Sequence, residues 1–215
     1  MSTHRISILL GFFLGLGALD AAPAQAATVR DLTTEDYYGY GYFQNALEYP
    51  EVAKLPSRAQ QVRVVAKDMG WKAAKLAAAI EKVESVGEKP LEAAQKSIQS
   101  GFESSRVKGR VFDLSLDDSS PKLVVAYVRL KGTTSRDVIK DASAVAHAVH
   151  ESAPFVSTVS MCIIHPKWPE TTEKCVWSAK IGHEPMARIQ PNRIETYADR
   201  LYKNMFEVES DMGMF

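Results

Sequence analysis

The sequence predicts an α+β fold, on three observations. Apolar residues recur at helical spacing through the first half, the periodicity turns strand-like after Gly109, and the second half then runs hairpin, helix, hairpin, helix. An antiparallel sheet with both helices on one face would bury all of these stripes together. The expectation is a two-layer ββαββα domain over residues 109–215, preceded by an N-terminal αα-hairpin segment over residues 57–108. A 215-residue chain that is 46% apolar and 24% charged has room for one ordinary domain and a smaller segment.

Residues 1–26 read as a signal peptide. His4 and Arg5 give a weakly basic start, Ile6 to Leu19 is apolar, and Ala24-Gln25-Ala26 fits a small-x-small cleavage site, so the mature chain is expected to begin at Ala27. That apolar run has 14 residues, short of the ~20 a spanning helix needs. No cysteine stands at the cleavage site to carry a lipid. The expected location is therefore periplasmic or secreted, with no integral membrane segment in the mature chain.

Residues 27–56 form an aromatic-rich arm in which Tyr37, Tyr38, Tyr40, Tyr42 and Phe43 crowd around Gly39 and Gly41. Glycines among aromatics predict an irregular or extended course, with at most a short turn at Phe43 to Leu47. The four tyrosines are candidate contacts for a protein partner or a sugar ring. The competing expectation is that the arm folds back over an apolar face of its own domain.

Ser57 is a plausible N-cap for the next segment, where Val62, Val65, Met69, Ala73, Leu76, Ile80 and Val83 form one stripe. Gly70 predicts a kink or a break in it. Gly87 ends the run, and Pro90 opens a further helix with Leu91, Ala94, Ile98 and Phe102 on one side. Residues 57–108 carry ten basic and six acidic side chains, an ordinary solvated face and not the dense basic stripe a phosphate backbone demands, so no nucleic-acid partner is expected.

From Gly109, Phe112, Leu114 and Leu116 alternate with polar residues, Asp117 to Pro121 reads as a turn, and Leu123 to Leu130 suits a central strand. Thr134 and Asp137 resemble a capping box for a helix reaching about Ser152. Two strand-like runs follow in Val156 to Ile181, each holding one of the two cysteines. In an oxidising compartment Cys162 and Cys175 are expected to form a disulfide. Placing them opposite each other sets Met161 against Val176, Val159 against Ser178 and Ser160 against Trp177. Both faces of the hairpin would then be partly apolar and need covering. Pro191 opens a last helix with Ile194, Tyr197, Ala198, Leu201, Met205 and Val208 inward.

Few residues suggest chemistry. His147 and His150 stand three apart on a helix and could share a metal, but no motif supplies a third ligand, and His165 and His183 belong to no H-E-x-x-H helix. Asp113-x-Ser115-x-Asp117 resembles the start of an EF-hand loop, yet the central glycine is missing and Val124 replaces the terminal glutamate. There is no G-x-S-x-G elbow and no phosphate-binding glycine loop. The sequence thus predicts no metal and no cofactor. Trp168, in the proline-flanked loop His165 to Glu170, is a further candidate contact, unless it tucks over the sheet edge or the last helix. The expected role is a non-enzymatic binding or envelope-associated protein with a protein or cell-envelope partner. The alternative is an exported hydrolase whose site is assembled from dispersed histidines and carboxylates.

Overall fold

The protein is described by a computed structural model covering residues 27–87, 89–120, 123–134 and 137–212. The expected signal peptide, residues 1–26, lies outside them. After a 3-10 turn at Val29–Asp31 come α1 (Thr34–Ala46), α2 (Pro50–Ala53), α3 (Arg58–Asp68), α4 (Ala73–Ser85) and α5 (Pro90–Glu103). The second half contributes β1 (Val111–Ser120), β2 (Leu123–Lys131), α6 (Val138–Ser152), β3 (Thr158–Ile164), β4 (Trp177–Gly182), α7 (His183–Met186), α8 (Pro191–Leu201) and β5 (Glu207–Asp211).

The arm is helical and not irregular. Thr33 and Asp36 cap it reciprocally: the Asp36 N–H donates to the Thr33 hydroxyl at 3.1 Å, and the Thr33 N–H donates to the Asp36 carboxylate at 3.0 Å. Gly39 is needed where it is, because a Cβ there would stand 2.7 Å from the Trp71 ring. Tertiary contact thus outweighs the low helix propensity of glycine. The predicted break at Gly70 is present. With φ of 70°, Gly70 ends α3 in the left-handed conformation, and the Trp71 N–H returns to the Ala66 carbonyl at 2.7 Å.

The five strands lie in the order β1-β2-β3-β4-β5. The sheet is mixed, which corrects the all-antiparallel expectation: β2 and β3 run parallel. The cause is α6, whose 15 residues span about 22 Å and return the chain to the starting end of β2, so that β3 must run the same way. The last helix also stops earlier than its stripe predicts. It ends at Leu201, and after a 3-10 turn at Lys203–Met205 the residues 207–211 pair antiparallel with β4 as an edge strand. An available strand edge overrides the weak β propensity of Glu-Val-Glu-Ser-Asp.

The β3–β4 register differs by three positions from the one that opposes the cysteines. Cys162 faces Ser178, Met161 faces Ala179 and Val159 faces Ile181, while Cys175 lies before β4. The disulfide still closes across a Cα–Cα distance of 5.3 Å. An odd shift moves a whole strand's side chains to the other face. Here it puts Trp177, Ala179 and Ile181 beside Val159, Met161 and Ile163, all buried. The opposite face, with Tyr127, Ser160, Ser178 and Lys180, is left partly or fully exposed. From Thr158 to Cys162 the hairpin is therefore covered on one side only, while Ile164 at the end of β3 is also buried on the other.

Helices α5, α6 and α8 cover the buried face. Ala94, Ile98, Phe102, Val145, Val149, Ile194 and Ala198 join the sheet residues in the main core. A second, smaller core of Phe43, Val52, Val62, Val65, Ala66, Leu76 and Ile80 holds α1 to α4 together as a helical lobe. Its link to the main core runs through α1 and α4, since Tyr37 and Val83 belong to the main core and Phe43 and Ile80 to the small one. No helix among the described residues is long and apolar enough to cross a membrane.

Candidate functional site

The tyrosines of α1 are divided by its helical period. Tyr37 is buried, stacks on Phe155 with ring centroids 4.5 Å apart, and donates to Asp118 at 3.0 Å. Burial and then the Asp118 carboxylate push its phenol far above the ordinary range. Tyr38, Tyr40 and Tyr42 are half-buried. Tyr38 meets the Trp71 ring edge-on at 6.1 Å, and Tyr42 hydrogen-bonds Asp68 at the end of α3. Much of the aromatic area therefore serves to dock α1 on its own lobe. Trp168 is also half-buried, packs against the main core and lies 5.7 Å from His165.

Two concavities flank α3. One, of about 780 Å³, lies between α3 and α4, with Val62, Ala73, Ala77 and Ile80 among its apolar walls and Arg58, Arg63, Glu81 and Glu84 as its charged lining. Arg58 spans the groove to reach both Glu84 oxygens at 2.6 and 2.7 Å. The other, of about 530 Å³, is lined by Tyr42, Tyr49, Val52, Val64 and Asp68. Tyr49 and Val64 are 60% and 48% exposed there. Neither concavity contains a histidine or cysteine.

A third cleft, of about 310 Å³, lies over α6 between α5 and α8. Ala144, His147, Ala148 and Glu151 come from α6, Ser104, Ser105 and Arg106 from the end of α5, and Ile194 and Glu195 from α8. Arg106 is fixed there by Asp141 at 2.8 Å and Glu195 at 2.7 Å. Asp141 is fully buried and also takes a two-pronged contact from Arg110, at 2.6 and 2.8 Å. Two hydroxyls in this cleft are committed to the backbone: Ser104 donates to the Gly101 carbonyl at 3.0 Å and Ser105 to that of Phe102 at 2.9 Å. They cap the last turn of α5 and are poorly placed to act as nucleophiles.

The four candidate histidines do not gather in one place. His147 lines the cleft, while His150 meets His183 where α6 packs on α7, with ring centroids 5.1 Å apart. His165 is in the β3–β4 loop, where its Nδ1 accepts from the Lys167 N–H at 3.2 Å. Burial, and next the neighbouring His183, hold the His150 imidazole below its ordinary range. The pairing of His150 with His183 was not legible, because the two are distant in sequence and β4 had to be placed first. Asp141 did leave a signal, as a carboxylate beside the apolar stripe of Val138, Ile139 and Ala142. Comparison of the chain with protein-family models, with characterised proteins and with solved structures finds no match.

Proposed function

We propose that the chain is an exported, non-enzymatic binding protein that receives an amphipathic segment of a protein partner in the helical lobe. The observation that carries this is the α3–α4 groove. It is more than twice as large as the cleft over α6, apolar along Val62, Ala77 and Ile80, and edged by charges of both signs. An amphipathic helix laid in such a groove buries its apolar stripe and finds partners for its flanking charges. Export is supported by the signal-like start and by the Cys162–Cys175 bond, which is compatible with an oxidising compartment.

A photo-crosslinking residue placed at Ala77 inside the groove, or at Tyr127 on the open sheet face, tests the proposal in the native envelope. Crosslinks to a discrete protein are expected from position 77, and are expected to vanish when Ala74→Arg fills the groove. Crosslinks from position 127 alone, or from neither position, would reject it.

A second possibility is a hydrolase centred on His147, which shares its cleft with Glu151, Arg106 and Glu195. Turnover of ester or peptide substrates that is lost in His147→Ala would favour it over the binding role.

A further inference from the structure

His150 lies near the end of α6, and His183 opens α7 directly after β4. Their ring planes meet at 62° with the centroids 5.1 Å apart, and the Nδ1 atoms of both rings are buried with no hydrogen-bond partner. A buried polar atom without a partner requires an explanation, and two on adjacent rings point to one shared occupant. Distance separates the two simplest occupants. Two imidazoles ligating one tetrahedral ion at about 2.0–2.1 Å stand with centroids about 5.2 Å apart. Two imidazoles bridged by a water at about 2.8 Å stand about 6.3 Å apart. The observed separation is too short for a bridging water and fits an ion, as it also fits two rings in direct edge contact.

We propose that His150 and His183 form a two-imidazole site for a first-row transition-metal ion of the Zn²⁺ or Cu²⁺ type. Neutral imidazole suits these ions and does not suit Mg²⁺ or Ca²⁺. Both histidines are half-buried although their Nδ1 atoms are covered, so an ion would enter by an outward turn of one of the rings. Among the described residues no third histidine, cysteine or carboxylate completes a set of three. Water therefore fills the remaining positions, and the site is open and exchangeable. The bound ion would tie α7 to α6 and, through α7, fix the end of β4. His147, which shares a helix with His150, is not a member of the pair.

The full chain, purified without a polyhistidine tag, should bind Zn²⁺ and Cu²⁺ in calorimetry at one ion per chain, with no response to Mg²⁺. His150→Gln and His183→Gln should each weaken Zn²⁺ binding by roughly tenfold or more, since each removes one of only two protein ligands, whereas His165→Gln should leave it unchanged. In the unmodified protein, Cu²⁺ should broaden the ring proton resonances of His150 and His183 before those of His165, a result independent of how the variants fold. Absence of saturable binding, unchanged affinity in both glutamine variants, or broadening centred on His147 or His165 would overturn the proposal.

Discussion

Asp141 is fully buried, and both of its oxygens are taken by arginine. Arg106 and Arg110 reach it from the turn after α5, and Arg106 continues to Glu195 on α8, so one carboxylate joins three segments across the top of α6. Removing one partner of such a network leaves charge without compensation. Asp141→Asn keeps the shape and deletes the charge, so it should cost about 3 kcal/mol in urea unfolding. The side chains of Arg106 and Arg110 remain about a fifth exposed, and solvent can take up part of their charge, which keeps the estimate at the lower end. A loss below ~1 kcal/mol, no more than an exposed ion pair is worth, would show that the network is not structural. The sequence marks Asp141 as an acid in an apolar helix, but its arginines are 31 and 35 residues away and only the fold brings them together.

Among the elements, the β3–β4 hairpin shows where local pattern is a sound guide and where it stops. Two β-rich runs and a cysteine in each predict the hairpin and its staple. The disulfide does not set the register, because Cys175 in the loop reaches Cys162 without standing directly opposite it. Apolar alternation on β4 decides the register instead, since Trp177, Ala179 and Ile181 must all reach the helical face. The disulfide then serves to restrain the loop that precedes β4. With a sequence separation of 13, its loss should lower stability by roughly 3 kcal/mol in the chain-entropy account. Cys162→Ala/Cys175→Ala should therefore unfold at lower denaturant than the oxidised protein and be indifferent to dithiothreitol, while reductant should bring the unmodified protein to the same midpoint. Coincident unfolding curves for the oxidised protein and the double variant would show that the staple contributes nothing.

At the scale of the molecule, the helices of the first half and the sheet of the second were legible as separate periodicities, but how they share a core was not. The crossover that makes β2 and β3 parallel depends on where α6 lies, and the arm becomes helical only because Trp71 and the small core await it. This division has a dynamic consequence. Helix α6 is buried along most of its length between α5, α8 and the sheet, whereas α2 and α3 hold on through the small core alone and are flanked by two concavities. Local opening follows the density of buried contact, and segments that receive ligands come from the less stable end of that range. Amide hydrogen exchange followed by mass spectrometry should show α2 and α3 exchanging well before α6, β2 and β3, by sub-global opening that leaves the sheet intact. A partner seated in the α3–α4 groove binds only the closed lobe, so its presence should slow exchange in α3 and α4 and leave α6 unaffected. Equal protection of α3 and α6 in the free protein would mean that both cores open as one unit, and the lobe would then lack the independent mobility expected of a binding element.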